Sequence, residues 1–339
     1  MITNSIIYFF LIFIVFSVCK KFNFFLDIKD HKHKKFASNQ TNYFIGGFFI
    51  ALILTYNFVE QKDYSYGLFF MSIFIIGLLA DFKLFNNPKL RLIFQILLLI
   101  LFVYVLDIKI PSTRIEIVDI LFENNLINYL FTIFCLAILI NGSNFVDGIN
   151  TLLINYYIIV LGLIIFFLKD VNIDYYLINN LFSLLLIILI FNVFGQIILG
   201  DSGAYILSLF IGLTLIDLSN INNLISPYFI ILLVWYPCFE LLFSMIRRLA
   251  SNIYSYEPDT MHLHQMILKM INDNLKFKSN NLNHFLAGSI INLYNLFILI
   301  IALNYINKTN IMLMLIFINI IVYIIIYVVL HQKLKPIQS

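Results

Sequence analysis

Eleven long apolar runs separated by short polar connections set the pattern of this chain. They fall at roughly 4–19, 43–59, 65–80, 90–106, 125–140, 152–168, 176–195, 203–217, 225–245, 284–303 and 309–330. Alternating apolar and polar decamers, the mark of a membrane barrel, are absent. A helix needs about 20 residues to cross the hydrocarbon, with a range of about 17–25, so the shorter runs must draw on their flanks. Backbone groups in lipid must be satisfied within their own segment, which leaves helices. The pattern predicts an all-α polytopic membrane protein of about eleven transmembrane helices, forming a single transmembrane domain over 1–339. The first run, Ile6 to Val18, lacks a basic leader and a small-residue cleavage site, and reads as a retained span.

Composition sharpens the class. The chain is 62% hydrophobic and 12% charged, against about 45–50% and 25% in soluble domains, so too little polar surface exists to cover a globule in water. Cys19, Cys135 and Cys238 are odd in number and widely spaced in apolar surroundings, which excludes a disulfide framework or a zinc cluster. The net charge of +3 says less than its placement. If connections alternate sides, only Lys62, Lys109, Arg114, Lys169 and Lys308 of the 21 Lys and Arg fall on one side. The positive-inside rule makes the other side cytoplasmic, with the N-terminus outside and the C-terminus inside. The long cytoplasmic connection is 247–283; within it Met261 to Ile271 has helical apolar spacing and is expected to lie at the membrane surface.

The acids divide in the same way. Glu60, Asp63, Asp107, Glu116, Asp119, Glu123, Asp170, Asp174 and Asp217 sit in outer polar loops and read as solvated connectors. Asp81, Asp147 and Asp201 edge apolar spans on the cytoplasmic side, and Asp259 falls on that side with His262 and His264.

Four polar clusters there carry chemistry. Gly77-Leu78-Leu79-Ala80-Asp81 is followed by Lys89 and Arg91, a carboxylate with two cations close behind. Asn141 to Asn150 reads N-G-S-N-F-V-D-G-I-N; continued as helix, it would put Asn144, Asp147 and Asn150 on one face, fit for a hydrated Mg²⁺ or a nucleotide. Leu199-Gly200-Asp201-Ser202-Gly203 opens a span, with Asp201 and Ser202 expected at the N-cap, a position that favours an anion, and Asn192 upstream. Pro258-Asp259-Thr260-Met261-His262-Leu263-His264-Gln265 places two imidazoles where both could reach one phosphate or sugar. A fifth feature, His31-Lys32-His33-Lys34-Lys35 ahead of Gly46-Gly47, reads as a basic anchor to anionic headgroups.

These motifs, in this order and on this side, resemble the polyprenyl-phosphate N-acetylhexosamine-1-phosphate transferases, which include the phospho-MurNAc-pentapeptide transferase of peptidoglycan synthesis. The similarity runs from about Lys29 to Gln265. It implies transfer of a HexNAc-1-phosphate from a UDP-N-acetylhexosamine to undecaprenyl phosphate at the cytoplasmic face of a bacterial inner membrane. By the same resemblance Asp81, Asp147 and Asp201 are the catalytic carboxylates. Asp201 and Asn144 would hold Mg²⁺, with Mn²⁺ as the alternative. Lys89, Arg91, Asn141, Asn144, Asn150, Asn192, Arg248, His262 and His264 would bind the donor. Relatives are commonly homodimers, and no nucleic-acid partner is expected. The H-L-H-Q form is closer to the surface-polysaccharide branch than to the peptidoglycan branch, which remains the alternative. Four departures stand out: Ala80 replaces the first of the family's usual two adjacent acids, and Asn150, Glu240 and Gln265 replace residues common there but keep hydrogen-bonding capacity. A transporter or flippase, and an inactive lipid-binding member, are the readings of another class.

Overall fold

The computed structural model describes residues 2–27, 42–168, 174–250, 261–275 and 280–334. His31 to Lys35 and Pro258 to Thr260 lie outside them. The described chain is all-α, as the apolar pattern predicts. In order the helices are α1 (Ile2–Phe22), α2 (Gly46–Glu60), α3 (Tyr64–Asp81), α4 (Pro88–Val105), α5 (Glu116–Phe122), α6 (Asn125–Val146) and α7 (Leu152–Phe167). They continue with α8 (Tyr175–Val193), α9 (Gly200–Ile221), α10 (Pro227–Leu233), α11 (Trp235–Ala250), α12 (Leu263–Leu275), α13 (Asn280–Leu303) and α14 (Thr309–Leu334). Eight are long and apolar enough to cross a membrane; α2 and α7 are shorter, and α10 with α11 forms a bent pair. Phe10, Leu68, Leu101, Leu293 and Phe317 face outward although apolar, an arrangement that suits lipid and penalises water.

α9 is the axis of the bundle. Every residue from Ser202 to Ile216 is buried, against α2, α3 and α6. Small residues permit the approach: a Cβ on Gly47 would stand 2.7 Å from Ser202 Oγ and 2.8 Å from Gly203 Cα. The start of α2 is tied to the start of α9 through backbone bonds from Tyr43 N to Gln196 O (3.0 Å), Ile198 N to Tyr43 O (2.9 Å) and Gly46 N to Ile198 O (3.1 Å).

The run at 225–245 is not one straight span. It breaks at Val234, where α10 and α11 meet at 79°. Pro237 has no N–H to give the Leu233 carbonyl, so the helix cannot continue through this point. Tyr156 of α7 repairs the break: its hydroxyl donates to Leu233 O at 3.1 Å and accepts from Tyr236 N at 3.4 Å. Gly142 of α6 lies directly against the Pro237 carbonyl, so no larger residue fits there.

At the end of the bundle away from Asp81 and Asp201, several acids are structural rather than merely solvated. Asp174 accepts from Leu177 N (3.0 Å), capping α8, and from Gln61 Nε2 (2.6 Å). Asp119 accepts from Thr113 N and Ser112 Oγ, both at 2.7 Å. Arg114 donates to the carbonyls of Asn223 (2.8 Å), Leu224 (3.0 Å) and Asn307 (3.2 Å). The region around 261–271 does form a helix, but its apolar face is buried against α13 and α14.

Replacing Tyr156 by Phe strips partners from a buried carbonyl and a buried N–H. The expected loss is about 1–3 kcal/mol, read as a lower thermal midpoint of the purified protein in detergent.

Candidate active site

The site begins with the exposed N–H groups of α9. Gly200 opens the helix in a left-handed conformation (φ +72°), and its predecessor Leu199 offers no side-chain cap. The first N–H groups of a helix have no partner within it, and here they lie inside protein. Asp81, the last residue of α3, takes two of them: its carboxylate accepts from Asp201 N (2.7 Å), Ser202 N (3.0 Å) and Ser202 Oγ (2.6 Å). Asp147, which ends α6, accepts from the backbone N–H of Gly200. Two carboxylates from two other helices thus fill the positive end of α9. Asp201 and Ser202 are therefore not the N-cap that the sequence suggests; they are capped from outside. The anion site expected at this helix start is occupied by the protein's own acids. Gly200 is required twice over, by its backbone angle and because a Cβ would stand 2.8 Å from both Asp81 oxygens.

Asp201 itself, one residue into α9, turns to other partners. Its carboxylate is ion-paired with Arg91 of α4 and hydrogen-bonded by the Asn144 side chain of α6. Arg91 reaches it because Asn87 caps α4, accepting from Lys89 N (3.0 Å) and Leu90 N (3.4 Å), with Pro88 set as the first helical residue. Lys89 is exposed in that same first turn. Asp81, Asp147 and Asp201 thus meet at the start of α9, with Arg91 paired to Asp201. Burial, with the carboxylates of Asp201 and Asp81 close by, pushes Asp147 well above the usual carboxylate range. The charge of Asp27, just past α1, also reaches Asp201.

The imidazoles join from the other side of α6. Phe145, between Asn144 and Asp147, packs on the His262 ring at 5.0 Å. The His262 and His264 rings stack at 5.4 Å and 15°. His264 Nε2 comes close to Gly148, where a Cβ would meet it at 3.7 Å. His264 Nδ1 is 3.4 Å from the Tyr236 hydroxyl, and His262 Nδ1 is 3.1 Å from Glu240 Oε1. Arg248 is buried on the same face of α11 as Glu240 and Ser244.

The structure gives the remaining amides framework contacts. α6 ends at Val146, so Asn150 does not continue the face of Asn144 and Asp147. Its backbone N–H donates to His284 Nδ1 (3.4 Å) of α13. Asn192 Oδ1 accepts from Thr151 N (2.5 Å), and its Nδ2 donates to Ile197 O (2.7 Å), joining the α6–α7 turn to the α8–α9 connection. Asn141 bonds back to Ala137 O of its own helix (2.8 Å). Beside these stand residues that the sequence did not single out as site groups: Asp27, Glu240, Tyr236 and Tyr323. Glu240 carried a signal, a lone acid inside an apolar run. Tyr323 carried none, being one of 20 tyrosines in a Tyr-rich chain.

Among the described residues no three His, Cys, Asp or Glu are arranged to cage a metal by themselves. The donor set fits a different kind of cation site. Three acids meet at the start of α9, one of them paired with Arg91, and Asp201 with Asn144 offers hard oxygens there. Mg²⁺ takes one or two protein carboxylates and completes its shell from phosphate and water.

Residues 64–219 match the family model for Glycosyl transferase family 4. The matched stretch runs from the start of α3 into α9 and includes Asp81, Lys89, Arg91, Asn144, Asp147 and Asp201; it ends before Glu240, His262 and His264. This similarity supports a membrane transferase of the polyprenyl-phosphate sugar-1-phosphate type. No curated protein matches the chain.

The capping role of Asp81 has a measurable order. Asp81→Ala should cost about 0.5–2 kcal/mol, as for other lost helix caps, and Asp81→Asn, which keeps one acceptor, should cost less. Thermal midpoints in detergent that reverse this order would remove the cap from Asp81.

Proposed function

We propose that the protein transfers a HexNAc-1-phosphate from a UDP-N-acetylhexosamine to undecaprenyl or another polyprenyl phosphate. The products are a polyprenyl-diphospho-sugar and UMP, and the reaction starts a lipid-linked, O-antigen-like surface polysaccharide. One observation carries this reading: three acids from three helix ends converge with Arg91 at the start of α9, within the stretch similar to the glycosyltransferase family. The distribution of Lys and Arg supports a site on the cytoplasmic face of a bacterial inner membrane.

An oxygen of the acceptor phosphate attacks the β-phosphorus of the donor, and the bond to the UMP oxygen breaks. The acceptor is already ionised near neutral pH, so orientation and charge neutralisation matter more than a strong base. Arg91, Lys89, Arg248, His262 and His264 are the groups that neutralise donor phosphates. Asp201 and Asn144 would hold Mg²⁺, or Mn²⁺ in its place, and the ion would offset charge on the departing UMP. Asp147 borders both the metal ligands and the α9 start, and takes the acceptor or the nucleotide. Asp81 contributes by holding α9, and through it Asp201, in register.

Ala80 and the engagement of both Asp81 oxygens in capping favour one second reading, a member that binds donor and lipid without turnover. The experiment separates the two. Purified protein with Mg²⁺ and a panel of UDP-sugars should release UMP only when polyprenyl phosphate is added, and mass detection should find the diphospho-sugar lipid. Donor binding with no UMP release across the panel would establish the second reading. Asp201→Asn should abolish turnover while the thermal midpoint stays close to that of the wild type. Full activity in that variant would take Asp201 out of the metal role.

A further inference from the structure

The last helix, α14, lies beyond the stretch similar to the glycosyltransferase family, yet it sends a tyrosine into the histidine cluster. Glu240 is 1% exposed. Its Oε1 accepts from Leu263 N at 3.2 Å and stands 3.1 Å from His262 Nδ1. Its Oε2 accepts from the Tyr323 hydroxyl at 2.9 Å. Because Oε1 already serves as acceptor for Leu263, the hydrogen shared with His262 belongs on Nδ1. A ligand phosphate can then meet this ring only through Nε2. Phe145 and His264 restrain the ring by packing, at 5.0 and 5.4 Å. Tyr323 is itself held edge-on by Phe239 and Phe243, at 4.9 and 5.0 Å. The chain of contacts is continuous from α14 through Glu240 to His262, and from His262 through Phe145 to the end of α6.

We infer that Glu240 and Tyr323 are positioning residues: Glu240 holds His262 as the Nδ1–H tautomer with Nε2 as its phosphate-facing nitrogen, and Tyr323 fixes the Glu240 carboxylate from the last helix. The phosphate-facing role rests on the reading of His262 as a donor ligand given above; the tautomer does not. Buried carboxylates that accept from a ring N–H set both the tautomer and the orientation of the ring. Glu240→Leu keeps the bulk but removes the acceptor opposite Nδ1, and so releases the tautomer. Tyr323→Phe keeps the carboxylate and loosens it.

Two measurements test this. In protein labelled with ¹⁵N-histidine in detergent, the His262 signals, assigned by their loss in His262→Ala, should report Nδ1–H. Glu240→Leu should shift them toward Nε2–H, and Tyr323→Phe should shift them part of the way. Unchanged His262 signals in both variants would overturn the inference, and this holds whether or not the protein releases UMP. Binding of UDP-N-acetylglucosamine should weaken about tenfold in Glu240→Leu, the equivalent of one hydrogen bond to a charged group, with no further loss when His262→Ala is already present. Additive losses would assign Glu240 to bundle stability instead. A wild type that binds no UDP-sugar in the panel would count against the transferase reading, and the tautomer measurement would still decide the positioning of His262.

Discussion

The structure depends on how a helix can begin inside protein. α9 starts with N–H groups that cannot reach water, and an unpartnered buried donor costs about 1–3 kcal/mol. No side chain at its own N-cap relieves this. The carboxylates of Asp81 and Asp147 do so from the ends of α3 and α6. That solution draws three helix ends together, and it leaves Asp201, one residue further on, to face Arg91 and Asn144. The same backbone need that orders the bundle thereby concentrates negative charge at one place. Concentrated charge of this kind is what a phosphate-bound cation requires.

Much of the architecture was legible from the pattern of apolar runs, because lipid permits few alternatives to a helix. Each of the eleven runs is largely helical, eight of the helices among the described residues are long and apolar enough to span, and the polar clusters at Asp81, Asp147 and Asp201 do come together. The bend at Val234 was not legible. Pro237 hints at a break, but its angle and its repair by Tyr156 depend on a residue about 80 positions away. The cap of α9 was misassigned for a related reason: a Gly-Asp-Ser start looks self-capping until another helix supplies a better acceptor. Asn150 and Asn192 looked like ligands because polar groups at membrane depth are costly. For Asn192 that cost is offset by backbone partners at the turn it joins, whereas the Asn150 side-chain nitrogen is buried with no hydrogen-bond partner among the described residues.

The imidazole cluster teaches the complementary point. His262 and His264 were visible as a motif, but what orients them was not. Their supports come from α11 and α14, separated from them by sequence and recognisable only in space. Tyr236 and Tyr323 have no motif of their own, and Glu240 stands out only as a lone acid at a position where the resembling family commonly has one. Buried polar networks of this kind are specified by complete satisfaction of every donor and acceptor, which is a property of neighbours and not of spacing.

Arg114 gives the molecule an asymmetry. A single guanidinium joins the connection after α9 to the connection after α13, from a loop between α4 and α5. Such a clasp cross-links three pairs of helices at the end remote from the acids, so deformation is stiffest there.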